Sequence, residues 1–355
     1  MDNCDTYALN VLEGLCAIYS PSYGEREAVE FMVGKATEAG MRAARIDEVG
    51  NFVAERGDGD RTLLFLGHID TVKGFIPTRI EDGRLYGRGA VDAKGPLAAA
   101  FVAASQVPDL QNLRLVVVGA VEEEAPTSTG ARHILKTYRP DFVIIGEPSG
   151  AAGITVGYKG RVNLRYVASR PHEHTAAAGR SVAAHAVDVW NEIEAYCRQF
   201  NQDKGVFDTL DPHLAELNTA TDGMADTVDL RASVRLPLDF AVPAFEQALR
   251  GMVADSTTLT LDGLVEAFKA TKRSALVRAL LQAIRAEGLE PTFKVKTGTS
   301  DMNLVGPVWQ CPIVAYGPGD SKLDHTPHEH VRVDEYLAAV RVLVKAIERI
   351  SASLS

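Results

Sequence analysis

The residues that can do chemistry in this chain are two histidines and a set of carboxylates, each placed where an apolar run ends. His68 and Asp70 form an H-x-D after the run 62–66 (TLLFL), and extended i, i+2 spacing turns both side chains to one side. Glu122, Glu123 and Glu124 follow the run 113–118 (LRLVVV), and Glu147 follows 141–145 (DFVII). Asp92 lies in a glycine-rich turn, 87–95 (GRGAVDAKG), and His325 lies in a late loop, 324–327 (DHTP). Three adjacent carboxylates at the end of a buried run repel one another and resist desolvation, so a compensating cation is what makes them tolerable. Each feature alone also has a plain reading: a structural His–Asp pair, an aspartate near a helix cap, a solvated acidic loop.

Imidazole nitrogen with carboxylate oxygen suits Zn²⁺, and also Co²⁺ or Mn²⁺. The four cysteines, Cys4, Cys16, Cys197 and Cys311, form no C-x-x-C pair, which argues against a closed thiolate zinc site and fits reduced, packing thiols. The five residues His68, Asp92, Glu124, Glu147 and His325 exceed what one catalytic ion needs. Two divalent ions about 3.5–4 Å apart, bridged by one carboxylate and a water, use all five and leave Glu123 as a general base.

The elements that must position these residues follow from the pattern around them. Short apolar runs between helical stretches, such as 24–39 (GEREAVEFMVGKATEA) closed by Gly40, read as buried strands of a mainly parallel sheet with helices on both faces. In such sheets ligands bind beyond the carboxyl ends of the strands, where His68, the three glutamates and Glu147 stand. From about 156 the texture changes to alternation (162–167, 229–236) with helical stretches between (181–199, 244–254), which predicts an inserted α+β domain over 156–266. The catalytic domain is then 1–155 with 267–355, including amphipathic helices at 274–286 and 334–350.

The 355 residues carry 37 Lys and Arg against 47 Asp and Glu, a net charge of −10. That balance argues against general nucleic-acid binding, which rests on basic groups at phosphates. No apolar run approaches a bilayer span and the first residues lack the layout of a secretory signal, so no membrane partner and a cytoplasmic location are expected. One local departure is 159–180, where Lys159, Arg161, Arg165, Arg170 and Arg180 face only Glu173, which suggests a basic face able to steer an acidic partner protein.

Six segments in order, 67–72 (GHIDTV), 87–95 (GRGAVDAKG), 122–124 (EEE), 146–149 (GEPS), 298–301 (GTSD) and 325–329 (HTPHE), resemble the motifs of the dinuclear zinc aminoacylase/deacetylase metallopeptidases. Within that family the likeness runs toward hydrolases that act on an amino-group carrier protein. The resemblance implies a zinc-exopeptidase-like α/β domain with an inserted ferredoxin-like lid through which two copies pair. It implies that His68 and Glu147 hold one metal, His325 and Glu124 the other, and that Asp92 bridges them. Asp70 matches the acid that bonds the metal-bound histidine. Glu123 matches the general base, although relatives read D-E-E here and a one-residue shift makes Glu122 the base instead.

His174 matches a histidine lent to the partner's site, with His172 as its competitor. Arg235 matches an arginine for the substrate carboxylate, supported by Gly298, Thr299 and Ser300. The segment 225–228 (ADTV) departs from the family's Asn-x-Ile-Pro, so no asparagine role carries over. Three functions remain open on this reading. The first is release of lysine or ornithine from the terminal γ-glutamyl group of a carrier protein in lysine or arginine biosynthesis; the second is N-acetylornithine or N-acetyllysine deacetylation or dipeptide cleavage; the third is a metal-binding dimeric module without catalysis.

Overall fold

The computed structural model describes residues 3–354 apart from 109, 111, 175, 177, 178, 255 and 256. The chain divides into two compact units, one of Met1–Gly157, Ala270–Val295 and Ser300–Ser355, the other of Tyr158–Lys269 with Lys296–Thr299. The short return of Lys296–Thr299 to the second unit is not visible in a sequence reading that keeps 267–355 together. It is made by a backbone bond from the Lys159 N–H to the Lys296 carbonyl at 3.0 Å.

The first unit is built on a sheet with the strand order Arg42–Ile46, Phe52–Arg56, Leu113–Ala120, Arg61–His68, Phe142–Gly146, Ile313–Ala315, Gly153–Tyr158, with Thr292–Lys296 also on Gly153–Tyr158. The apolar runs form its centre: Arg61–His68 pairs in parallel with Leu113–Ala120 on one side and Phe142–Gly146 on the other. The helices Asn3–Ala17, Lys94–Gln106, Ala275–Ala286 and Val333–Ala352 pack with them into one apolar core. Lys94–Gln106 is buried along most of its length, which explains a sequence of alanines and leucine rather than an amphipathic stripe.

Gly67, Gly119 and Gly146 stand side by side at the strand ends. A Cβ on Gly119 would lie 2.9 Å from Leu97 Cδ2, so the glycine lets the helix after Asp92 press against the strand ends. Gly40 closes the helix Arg26–Glu38 with φ of +66°, as its place in the sequence suggests.

The second unit runs strand, helix, strand, strand, helix, strand: Gly160–Pro171, Val182–Phe200, Asp211–Thr221, Ala225–Leu236, Val242–Arg250 and Thr258–Val265. Its antiparallel sheet has the order Asp211–Thr221, Ala225–Leu236, Gly160–Pro171, Thr258–Val265, which is the ferredoxin-like arrangement. Alternation sorts its faces: Val162, Leu164 and Tyr166 with Val228, Leu230 and Val234 join the helices' Val189, Ile193 and Phe245 in the core. The opposite face is polar. Among the described residues no helix is long and apolar enough to cross a membrane.

Candidate metal centre

His68 ends the central strand in register with Ala120, two residues before the acidic triplet, and Gly67 is in register with Gly146, just before Glu147. Three neighbouring parallel strands therefore deliver His68, Glu122–Glu124 and Glu147 to one place. Asp92 arrives on the turn before the helix Lys94–Gln106, and His325 on the loop after Ser321–Leu323.

The Asp92 carboxylate lies between the two histidines, with Oδ1 3.2 Å from His68 Nε2 and Oδ2 3.0 Å from His325 Nε2. Glu124 Oε1 is 2.8 Å from the same His325 nitrogen, and Glu147 Oε1 is 4.0 Å from His68 Nε2. Ligand-capable atoms thus form two trios, His68–Asp92–Glu147 and Asp92–Glu124–His325, that share Asp92. A further grouping, His68–Glu123–Glu124, places Glu123 beside them. The His68 side chain is 2% exposed and that of His325 51%, so one trio lies deep and the other opens to solvent.

The cluster calls for positive charge. Burial pushes the Glu123 carboxyl well above the usual range, with Asp301, Glu147 and Glu124 adding to it and His68 opposing. Burial likewise pushes Asp301 up to about 7. Hydrogen bonds to Asp92 and Glu124 raise His325 to about 10, and His68 rises despite its burial because Asp70 and Asp92 hold its charged form. For Asp92 burial acts upward, but the two histidines outweigh it and keep the carboxyl low. Imidazoles drawn to hold protons among crowded carboxylates form a donor set that fits divalent cations, which replace those protons when bound.

The support beneath the cluster is mostly carboxylate to backbone. Asp70 accepts the N–H of Glu123 at 3.1 Å and of Glu124 at 3.0 Å, and the Ser22 hydroxyl at 2.7 Å. His68 Nδ1 is 2.9 Å from the Asp70 carbonyl and 3.5 Å from its carboxylate, so the Asp70 main chain makes the shorter contact with the ring. Glu25, on the loop before Arg26–Glu38, accepts the N–H of Glu122 at 3.2 Å. Buried Glu329 takes the N–H groups of Val91 and Asp92 on one oxygen and Arg88 on the other at 2.8 Å. Lys94 donates to the Leu15 and Ile18 carbonyls at the end of Asn3–Ala17, and burial lowers it to about 8.

Glu25, Glu329, Lys94 and Asp301 are absent from the sequence reading as site residues. Glu329 and Asp301 lie inside the segments 325–329 and 298–301, so an acid next to a candidate residue was the available signal. Glu122 and His325 both take left-handed backbone, at φ of 61°. For non-glycine residues this costs about 1 kcal/mol or more and is concentrated at functional loops. The Glu122 carboxylate turns to its own loop and accepts the Thr127 and Thr129 hydroxyls at 2.5 and 2.6 Å.

The second unit carries the other candidates. Arg235 Nη1 donates to Thr299 Oγ1 at 3.4 Å. Ser300, expected beside them as a donor, is the cap of the helix Asp301–Trp309: its N–H goes to Asn303 and its hydroxyl oxygen accepts the Met302 N–H. Gly298 has nothing within 4 Å of where a Cβ would stand. His172 is tied to Asp226 at 2.9 Å, whereas exposed His174 accepts the Ala176 N–H.

Three of the five basic residues expected to form a face over 159–180 meet acids outside that segment. Lys159 is buried on Asp211, Arg165 forms a two-pronged pair with Asp229, and Arg180 meets Asp188. Counting charge along one segment missed Asp211 and Asp229, which the fold brings from 52 and 64 residues away, and Asp188, which lies eight residues beyond Arg180.

The model of peptidase family M20/M25/M40 matches residues 64–349. A LysW-lysine hydrolase of Deinococcus radiodurans is 46% identical over 318 residues, 86% of this chain and 87% of that protein. A LysW-lysine/LysW-ornithine hydrolase of Saccharolobus solfataricus is 29% identical over 348 residues, 97% of this chain and 96% of its own. Among solved structures, an M20-family metallo-carboxypeptidase from Sulfolobus solfataricus superposes with a TM-score of 0.79 at 18% identity, covering 99% of this chain and 100% of that one. A dinuclear metal-binding M20 peptidase of Bacillus subtilis gives 0.71 at 14%, covering 98% and 99%. At these identities the two structures show a shared fold.

Proposed function

Since the chain belongs to peptidase family M20/M25/M40, we propose that it is an amide hydrolase releasing lysine, or ornithine, from the terminal γ-glutamyl group of an amino-group carrier protein. The observation that carries the hydrolase reading is the Asp92 carboxylate, which spans His68 and His325 while each histidine has a further carboxylate beside it. The carrier-linked substrate is supported by the LysW-lysine hydrolase at 46% identity and the LysW-lysine/LysW-ornithine hydrolase at 29%.

His68 with Glu147 and His325 with Glu124 would hold two divalent ions, Zn²⁺ by the donor chemistry with Co²⁺ as the alternative, and Asp92 would serve both. When bound, these ions supply Lewis acidity at the scissile amide carbonyl and make water a stronger acid. Glu123 takes the proton of the attacking water. As the C–N bond breaks it gives that proton to the leaving amine. Its burial suits it to hold the proton between the two steps. Glu122 is supported less well in this role, because its carboxylate is engaged by Thr127 and Thr129.

Asp70 acts on Glu123 and Glu124, and Glu25 on the neighbouring Glu122, through their backbone N–H groups. Arg235 and Thr299 receive a substrate carboxylate, for which a guanidinium fork is suited, and the Gly298 backbone contributes beside them. The second unit serves as lid and dimerisation domain of a homodimer, with His174 lent to the partner's site to polarise the carbonyl. The reaction belongs to the cytoplasm, in keeping with four free cysteines.

The test is amino-acid release by the Zn- or Co-loaded protein from carrier-linked γ-glutamyl-lysine, N-acetyllysine and N-acetylornithine side by side. Release from the carrier-linked compound is expected. Release from the acetyl compounds alone would make the protein a deacetylase instead.

A further inference from the structure

On the polar face of the second unit's sheet Arg165 and Arg231 are paired with acids. Arg165 is held by Asp229 through two bonds at 3.0 and 2.7 Å, and Arg231 lies 3.6 Å from Asp229 and 3.9 Å from Glu216. At the end of this face the pattern stops. Arg161 and Arg235 are directly opposite each other on neighbouring antiparallel strands, which places their side chains together on one face.

The acid opposite Arg235 on its other side is Asp211, and that carboxylate is occupied by Lys159 on one oxygen and by the Thr209 hydroxyl on the other. Arg161 Nε is closed off from solvent and meets no hydrogen-bond partner, and Arg235 has only the Thr299 hydroxyl at 3.4 Å. Among the described residues neither guanidinium has an acidic partner. Two like charges directly opposite each other repel, so the arrangement is held at a cost that an anion between them removes.

We propose that Arg161 is a specificity-determining residue that, with Arg235, selects a substrate carrying two carboxylates. This rests on the carrier-linked reading above. When an amino acid is attached through the γ-carboxyl of a chain-terminal glutamate, a free α-carboxylate stands on each side of the scissile amide, that of the amino acid and that of the carrier's own last residue. Arg235 takes the first and Arg161 the second. An N-acetylated amino acid has no carboxylate on the acyl side and leaves Arg161 without a partner. A deacetylase has no use for the second guanidinium.

The experiment uses the metal-loaded enzyme and a synthetic peptide ending in glutamate with lysine attached through its α-amine to the γ-carboxyl, the glutamate α-carboxylate being either free or amidated. The wild type is expected to favour the free form by about 10- to 100-fold in kcat/KM, the usual worth of a charge-assisted pair. Arg161→Gln should lose that factor on the free form and nothing further on the amidated one. Arg161→Lys, which keeps the charge and loses the fork, should fall between. Arg165→Gln, on the same face but paired with Asp229, should discriminate as the wild type does. Equal turnover of the two peptides by the wild type, or a loss in Arg161→Gln that is the same on both, would overturn the inference while leaving the carrier reading standing. Turnover of N-acetyllysine with neither peptide cleaved would instead remove the carrier reading, and this inference with it.

Discussion

The strand ends of the first unit and the polar sheet face of the second fail to balance charge in opposite directions. Around His68 the carboxylates of Asp92, Glu123, Glu124, Glu147 and Asp301 crowd two imidazoles, while at the end of the second unit's sheet Arg161 and Arg235 form no ion pair with an acid among the described residues. Beside each imbalance stand matched groups: Glu329 with Arg88 and Glu287 with Arg341 and Lys345 in the first unit, Arg165 with Asp229 in the second. The lesson is that a buried or half-buried imbalance beside well-matched pairs marks where a ligand of the missing sign belongs. It separates acids that build the site from acids that bind in it.

Changes to the matched acids and to the unmatched groups should differ in kind as well as in size. Glu329→Ala leaves buried Arg88 without its partner and frees the N–H groups that place Asp92, so a loss of about 3–5 kcal/mol is expected in denaturant unfolding. Removing divalent ions with a chelator should abolish amide hydrolysis. Restoring them at about a thousand times their Kd should raise stability by about 4 kcal/mol, seen as a higher Tm. A Tm indifferent to chelation would break the comparison on the acidic side.

Glu25→Ala removes the acceptor of the Glu122 N–H and should lower kcat by about 10- to 100-fold at nearly constant KM and metal content, with Glu25→Gln restoring most of it. Arg235→Gln should do the reverse, raising KM by about tenfold or more with kcat and metal content nearly kept. The smallest effect belongs to a balanced pair. For Glu287 burial acts upward but Lys345 and Arg341 outweigh it, so its folded pKa lies below the ordinary value of 4.5. Its contribution is present above that value and disappears as the pH falls through the lower folded one. Glu287→Gln should therefore cost about 0.5–1 kcal/mol at pH 7, and the gap should close in acid, as urea unfolding at each pH would show.

The parts of this molecule legible in the sequence are those whose signal is local. The strands bearing His68, Glu122–Glu124 and Glu147 announce themselves as apolar runs with polar ends, and the second unit's core strands by alternation. The edge strand Asp211–Thr221 does not, because it is largely exposed and its residues need no apolar period. Glu25 and Glu329 were hidden for another reason. Each acts on backbone N–H groups far away along the chain, across separations of 97 residues for Glu25 to Glu122 and 237 for Glu329 to Asp92, and no spacing rule joins such positions. Ser300 shows the converse: its place in a site segment suggested a ligand donor, and the helix that follows takes it as a cap.

The central claim is that Glu123 moves the proton while other residues hold two ions. It is tested most directly by measuring metal content and lysine release on the same preparations of wild type and Glu123→Gln. The account expects two divalent ions per chain in both proteins, with release lowered by about 10²- to 10⁴-fold only in the variant. Loss of an ion from Glu123→Gln, or release that survives in it, would contradict the account.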